Sequence, residues 1–434
     1  MDFNEINGRD VQVFYHGDLD GKTSAAIVKR MWPDAFCIPV NHNKEPNWNM
    51  VKPGGVLFCV DFSFSYEIMQ KLDKEHKLIW IDHHDPIVEY AKYGFNPEGN
   101  RAIVPGRSGA MLVWEYLHPT EEVPRFIKYV SDYDTWTFKY PETLYFSLAS
   151  GLLDLEFTKS GMNTWEELFN NDEFIDKLIS SGKTVQDYID ERSHLICKDV
   201  AFRTIINGKP AYAGNIKNTN SLVLNELVKN DPSVKLTLLY CYFGNIKKWR
   251  VSVYSSDEQN YNAAEICRSY NGNGRGGAAG FVTTELPFKL PTDTLELHQD
   301  ALERYVNLEK FTQGNPLISK YAQQSIMPAV TSTHIAKRFL GYKTSCINHP
   351  AMFGDAFYDT GLCFYYDLGI LWTHTSSGHY RWSIYSLTSK IKLSDINQKL
   401  LEHCKERKDG VECLTKCMLN FIWVESNTSP LNFE

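Results

Sequence analysis

Short, uninterrupted apolar runs recur through the first third of the chain, and each ends at an acidic residue. Val11-Gln12-Val13-Phe14-Tyr15 runs into His16-Gly17-Asp18-Leu19-Asp20-Gly21. Val56-Leu57-Phe58-Cys59-Val60 runs into Asp61-Phe62-Ser63, and Leu78-Ile79-Trp80-Ile81 into Asp82-His83-His84-Asp85-Pro86. Runs of this length, punctuated by Gly or Pro, read as buried parallel strands. Lys22 to Arg30 reads as a helix starting one turn past the first acidic loop, and Tyr66 to His76 as a second. Strand–helix–strand order with short links predicts right-handed βαβ units and a parallel sheet over residues 1–163. Ser108 to Glu115 opens a further helix, and Phe126-Ile127-Lys128-Tyr129-Val130 is read as a run delivering Ser131-Asp132-Tyr133-Asp134 at its end. The polar-amphipathic stretch 164–199 predicts a helical connector.

The pattern changes over 200–290. Leu236 to Phe243 and Arg250 to Ser255 flank Gly244-Asn245, which reads as a β-hairpin. A helix through Ala263 to Cys267 follows, then a loop from Asn271 to Phe281 with five glycines, among them Gly274, Gly276 and Gly277 around Arg275. Such a loop leaves backbone N–H groups free to face an anion. Sliding 237–255 by 131 positions lays Trp249-Arg250-Val251-Ser252-Val253-Tyr254-Ser255 on Tyr380-Arg381-Trp382-Ser383-Ile384-Tyr385-Ser386 without a gap. The strand Gly369 to Trp372 and the turn Ser376-Ser377-Gly378 align at the same offset. An internal duplication is the favoured reading. The copy has one glycine near Lys408-Asp409-Gly410 and so lacks the anion loop. Its rings (Phe364, Tyr365, Tyr366, Trp372, Tyr380, Trp382, Tyr385) are expected mostly in a core. The expected class is therefore α/β: a parallel-sheet domain (1–163), the connector (164–199), a smaller α/β module (200–290), a linker (291–340) and a C-terminal α+β domain (341–434).

A length of 434 residues suits two or three domains. No apolar run approaches the ~18 residues needed to span a bilayer, and Met1 to Glu5 lacks signal-peptide character, so no membrane partner is expected. Ten scattered cysteines, several in apolar runs, read as buried thiols of a reducing, cytoplasmic compartment. Cys404, Cys413 and Cys417 beside His403 fit no common zinc finger and are expected on a helix face. The net charge of −8 argues against a protein that coats long duplex nucleic acid. Residues 201–290 nevertheless hold eleven Lys and Arg against six Asp and Glu, a net of +5 that leaves −13 for the rest. A basic module on an acidic body points to a small anionic ligand gripped in one place.

The acidic strand ends carry the candidate chemistry. His16, Asp18 and Asp20 recur with period two and would share one face of an extended strand end. Two carboxylates and an imidazole at one sheet edge repel unless cations sit between them. Asp61 adds a carboxylate from the next strand, and Asp82, His83 and Asp132 can close the cage, with Asp134 the alternative to Asp132. Mixed oxygen and imidazole ligands suit Mn²⁺, with Mg²⁺, Co²⁺ or Zn²⁺ as rivals. Six or seven ligands exceed one ion's need and predict two metals bridged by Asp61, the arrangement that activates water for in-line attack on phosphorus. Asp85 reads as a helix cap, and Arg107-Ser108 as either a cap or a phosphate contact.

His16-x-Asp18-x-Asp20-Gly21, Asp61, Asp82-His83-His84 and Asp132 resemble the four motifs of the DHH phosphoesterase superfamily, and Asn271 to Phe281 resembles the glycine-rich signature of its attached DHHA1 domain. The resemblance spans residues 8–285. It implies a two-domain enzyme with a cleft, usually holding Mn²⁺. It implies cleavage of short oligonucleotides, cyclic dinucleotides or single-stranded DNA, or removal of a nucleotide's phosphate, with a 5′-nucleotide as the expected product. By the same resemblance His16, Asp18 and Asp61 hold one metal, and Asp20, Asp61, His83 and Asp132 the other. His84 reaches the phosphate and Asp82 anchors the shell. Arg275 stands where the DHHA1 signature usually has histidine; with the loop amides it would hold the substrate's phosphate. A phosphatase of 3′-phosphoadenosine 5′-phosphate and a nucleotide sensor with vestigial hydrolysis are the alternatives. An inorganic pyrophosphatase is disfavoured, because the second domain has no Ser-Arg-Lys-Lys-Gln-like cluster. An oligomer is compatible with all of these.

Overall fold

A computed structural model describes residues 6, 8–41, 46–217, 224–292, 299–348, 366–375, 377, 379–388, 391–406, 413–417 and 421–432. The chain divides into two units, Met1–Gln186 and Asp187–Glu434. In the first, β1 (Val11–His16), β2 (Phe36–Val40), β3 (Val56–Val60) and β4 (Lys77–Ile81) form a sheet in the order β2-β1-β3-β4, parallel throughout. Strand periodicity divides its apolar residues between two faces. Val13, Tyr15, Phe58, Val60, Ile79 and Ile81 pack under helices Leu19–Met31, Gly109–Leu117 and Arg125–Asp134. Phe14, Leu57, Cys59, Leu78 and Trp80 pack under Tyr66–Glu75 and Pro86–Ala91. Both faces are covered, which is why these strands read as continuous apolar runs rather than alternating ones. The run Phe126 to Val130 departs from expectation: it belongs to the helix Arg125–Asp134, not to a strand. The connector is helical, as two helices, Lys159–Asn170 and Asp172–Val200, with Asn171 capping the second.

The second unit holds two six-stranded sheets. One contains β5 (Ala201–Ile206), β6 (Lys209–Asn215), β7 (Leu236–Phe243), β8 (Lys248–Ser255), β9 (Asn273–Gly274) and β10 (Ala278–Thr283), in the order β5-β6-β7-β8-β10-β9. The other contains β11 (Ile335–Phe339), β12 (Tyr342–Asn348), β13 (Leu368–His374), β14 (Tyr380–Ser386), β15 (Cys413–Cys417) and β16 (Ile422–Ser426), in the order β11-β12-β13-β14-β16-β15. In both, only the second and third strands pair in parallel. The first hairpins turn alike, through Asn207-Gly208 (φ 48° and 74°) and Leu340-Gly341 (φ 49° and 86°), the two-positive-φ turn that suits strand twist. Register corrects the ungapped alignment. Tyr240 pairs with Val251 and Trp372 with Trp382, so the third strands are offset by 132 and the fourth by 131. The hairpin of the second copy is one residue shorter. Cys413 and Cys417 lie on β15 rather than on a helix. Ser376, Gly378, Phe364, Tyr365 and Lys408 to Gly410 lie outside the described residues.

The two sheets meet through a reciprocal amide pair. Asn215 and Asn348, each 1% exposed, end the equivalent strands β6 and β12. Asn348 Nδ2 donates to Asn215 Oδ1 at 2.8 Å, and Asn215 Nδ2 to Asn348 Oδ1 at 3.2 Å. Asn215 Nδ2 also donates to the Tyr240 carbonyl and Asn348 Nδ2 to that of Trp372, both at 2.9 Å. The His374 amide donates to Asn215 Oδ1 and the Tyr242 amide to Asn348 Oδ1. Every bond has its counterpart 132 or 133 residues away, so the copies face each other across a pseudo-two-fold axis. Around the axis, the Tyr240 hydroxyl and Nδ1 of His374 are hydrogen-bonded at 3.1 Å, and burial pushes the His374 imidazole down to about 3. His374 is therefore neutral at physiological pH. Asn348→Ala strands the Tyr242 amide, the Trp372 carbonyl and the Asn215 side chain, and is expected to cost about 3 kcal/mol. Denaturant melts of Asn215→Ala, Asn348→Ala and the double variant test this: the double should cost far less than the sum of the singles.

Candidate metal centre

In the first sheet β1 leads to β2 on one side and the chain continues to β3 on the other, so the order reverses between β1 and β3. Ligand sites of open α/β sheets lie at this point, beyond the carboxyl ends of the strands. His16 ends β1, Asp61 follows β3 and Asp82 follows β4. Asp18 and Asp20 do not continue an extended strand as expected. Asp18 is the N-cap of helix Leu19–Met31, accepting from the Gly21 amide at 2.9 Å, and Asp20 lies in its first turn. The helix can start this close because residue 21 is glycine: a Cβ there would fall 2.1 Å from the His16 carbonyl oxygen.

Three ligand groups converge: His16, Asp18 and Asp61; Asp61, His83 and His84; and Asp20, His83 and Asp134. His16 Nδ1 lies 2.7 Å from Asp18 and 4.0 Å from Asp61 Oδ2. His83 Nε2 lies 3.2 Å from Asp61 Oδ1, 3.3 Å from Asp134 Oδ2 and 3.9 Å from Asp20 Oδ2. Asp61 therefore stands in two of the groups, one on each of its oxygens. It is 2% exposed and holds the left-handed conformation at φ 52°, which glycine adopts freely and asparagine and aspartate tolerate.

Asp132 is not among these residues. Its carboxylate accepts from the Lys139 and Tyr140 amides at 2.8 and 3.1 Å and from Thr143 Oγ1 at 2.5 Å. Two residues apart is about 200° around a helix, so Arg125–Asp134 turns Asp132 into the domain and Asp134 toward His83. Asp82 accepts from Ser63 Oγ at 2.5 Å and the His83 amide at 2.8 Å, and lies 2.7 Å from His84 Nδ1. Three supports had no signal in the strand pattern. Ser108 stands at the N-cap position of Gly109–Leu117 without a side-chain cap bond and donates its hydroxyl to Asp20, and the Ala110 amide donates to the same oxygen. Gly109 lies so close that a Cβ would sit 2.6 Å from Asp61 Cβ and 2.9 Å from Asp20 Oδ2.

The donor set fits divalent cations. Asp20 Oδ2, both oxygens of Asp61 and Nε2 of His83 are buried without a hydrogen-bond partner, an arrangement natural structures keep only with a reason. Burial, then the neighbouring carboxylates, raises Asp61 well above the usual carboxylate range. Burial raises Asp20 as well, and burial with Asp20 and Asp18 lifts Asp134 to about 7. Burial also raises Asp18, but the His16 and Gly21 hydrogen bonds outweigh it and hold the group low. The Asp82 hydrogen bond raises His84, whereas burial lowers His83. Carboxyls that hold protons must release them to take a cation. Mn²⁺ affinity is accordingly expected to weaken as pH falls through about 7, where Asp134 gains its proton; calorimetric titrations from pH 6 to 8 check the sign. Beside Asp18 a cavity of about 350 Å³ opens, lined by Lys22, Ser147, Ser150 and Glu156, with Lys22 and Glu156 paired at 2.6 Å.

The glycine loop in the second unit is a closed hairpin. Arg275 and Ala278 exchange both backbone bonds, and the Gly276 and Gly277 carbonyls accept from the Ala263 and Ser255 amides. The Glu258 carboxylate occupies the space where their Cβ atoms would be, at 2.8 and 2.5 Å. A carboxylate against Gly276 and Gly277 disfavours the expected amide cradle for an anion. Arg275 is exposed.

No family model matches the sequence. An uncharacterized protein of Acanthamoeba polyphaga mimivirus is 26% identical over 316 residues, 65% of this chain and 70% of its own length. Similar solved structures include the pGpG-specific phosphodiesterase PggH of Vibrio cholerae (14% identity, TM-score 0.41, covering 72% of this chain and 99% of that one). Another is the DHH domain of a member of the S1p family of ribosomal proteins (16%, 0.38, 70% and 87%). RecJ of Thermus thermophilus in complex with Mn²⁺ is a third (14%, 0.33, 72% and 54%). At such TM-scores the likeness stops at fold class, and the chemistry rests on the residues. The chain is thus similar in fold class to solved structures that include a DHH domain.

Proposed function

We propose that Met1–Gln186 carries a two-metal phosphoesterase centre that hydrolyses short single-stranded or cyclic nucleotides to 5′-nucleotides. Asp61 carries the reading: one buried carboxylate, unbonded on both oxygens, faces a different ligand group with each. His16 and Asp18 with Asp61 would hold one cation, and Asp20, Asp61, His83 and Asp134 the other. Divalent cations so placed supply charge to the scissile phosphate and acidify water for in-line attack. The chain's own groups do the rest. Asp82 fixes the ring of His84 through Nδ1, which keeps Nε2 available to donate to a phosphate oxygen. Ser108 and the Ala110 amide hold Asp20 in place. Arg275 is proposed to bind substrate phosphate, so Arg275→Ala should weaken substrate binding and leave metal content unchanged.

The test is a Mn²⁺-dependent turnover panel of a linear dinucleotide, a cyclic dinucleotide, 3′-phosphoadenosine 5′-phosphate and a long duplex, with products resolved chromatographically. Turnover of the small substrates that stops on chelation is expected. Turnover that survives chelation, or a duplex degraded faster than a dinucleotide, overturns the proposal.

A further inference from the structure

The two copies in the second unit part company at one strand arginine. In the second copy Arg381, on β14, is 3% exposed. Its Nε donates to Glu425 Oε1 at 2.7 Å, its Nη1 pairs with Asp199, and its guanidinium lies 4.6 Å from the centre of the Trp423 ring. Glu425 stands directly opposite it on β16. Two carboxylates neutralise it completely.

The equivalent residue of the first copy is Arg250, on β8, and both carboxylates are gone. Opposite Arg250 on β10 stands Val282, 46% exposed. The position equivalent to Asp199, 133 residues on, is Ser332 in the sequence. Arg250 is exposed and has no ion pair among the described residues. Cations have gathered instead: Lys248 is exposed on the same strand face, two residues away, and Lys217 Nζ and the Arg250 guanidinium each lie within 6 Å of the Phe243 ring centre, at 5.8 and 5.9 Å. Phe243 pairs with Lys248 across the hairpin, so ring and cations share one face of the sheet.

We infer that this face of the first copy, formed by Lys217, Phe243, Lys248, Arg250 and Val282, binds a single-stranded nucleic acid. Its phosphates meet the cations and a base lies against Phe243 and Val282. An exposed arginine and an exposed lysine beside a half-buried ring and an exposed aliphatic side chain offer both halves of single-strand recognition, charge for the backbone and a surface for stacking. An acidic peptide would use the cations and leave Phe243 idle. The surface lies wholly within Asp187–Glu434 and does not depend on the cation centre.

The experiment is fluorescence anisotropy of a labelled short oligothymidylate with the full chain in chelator, so that it stands apart from any hydrolysis. Arg250→Glu is expected to weaken binding roughly tenfold or more and to lower the salt dependence by about one ion. Phe243→Leu, which keeps an apolar side chain in place, should weaken binding at least about fivefold. Melting curves of both variants confirm that they fold. Binding unchanged by either substitution overturns the inference. So does a polyglutamate peptide that competes as well as the oligonucleotide while Phe243→Leu has no effect, since that result assigns the face to an acidic peptide.

Discussion

Asp61→Asn is expected to abolish cation binding, to lower turnover by roughly 10³-fold, and at the same time to raise the melting temperature of the metal-free protein. The two effects have one origin. Asp61 is buried among Asp18, Asp20 and Asp134 with neither oxygen bonded, so in the absence of metal it is a destabilising group held in place by the fold. Asparagine keeps its shape, tolerates the left-handed backbone at φ 52° and carries no charge. The sign follows from linkage. A carboxyl whose folded pKa is raised costs stability once pH exceeds its unfolded value near 4, because the unfolded state ionises first. The gain from Asp61→Asn should therefore vanish below about pH 4 and grow as pH rises above it. Melts at several pH values in chelator, with and without added Mn²⁺, read both halves. A variant that is less stable than the parent at pH 7 in chelator contradicts the assignment.

Asp132 and Asp134 should separate cleanly. Asp132→Ala removes the acceptor of three hydrogen bonds from a residue 3% exposed, and is expected to cost about 3 kcal/mol, several degrees of melting temperature, while bound Mn²⁺ stays in full. Asp134→Asn touches only the rim of the centre. By the same linkage it should raise the stability of the metal-free protein at neutral pH, and it should weaken Mn²⁺ binding and turnover by roughly 100-fold. Denaturant melts and metal analysis of the two variants suffice. Loss of metal on Asp132→Ala with stability intact would reinstate the motif residue as the ligand.

That pair also shows where sequence reasoning stops. The apolar runs ending at His16, Asp61 and Asp82 mark buried parallel strands, because burial on both sheet faces leaves no room for polar positions. Their ends define the site. Phe126 to Val130 looks the same in sequence, since a short apolar run is compatible with a buried helix as well as a strand. Only the helical twist decides which of two aspartates faces His83. Ser108 and Gly109 were beyond reach for another reason. They matter through approach to Asp20 and Asp61, some ninety and fifty residues earlier in the chain, and nothing local in Arg107-Ser108-Gly109 encodes that distance. In the second unit, Trp249 to Ser255 and Tyr380 to Ser386 marked a repeated hairpin correctly in kind and wrongly by one residue in the preceding strand. A turn can lose a residue without disturbing the ladder beyond it. The Asn215–Asn348 pair that joins the copies has no sequence signature beyond two asparagines.

The central claim is that Asp61 would be shared by two cation sites, one on each of its oxygens. Electron paramagnetic resonance of the chain loaded with two equivalents of Mn²⁺ measures this without reference to any substrate. A spectrum of two exchange-coupled ions, lost in Asp61→Asn, is the predicted result. A spectrum of isolated ions at the same loading would contradict it.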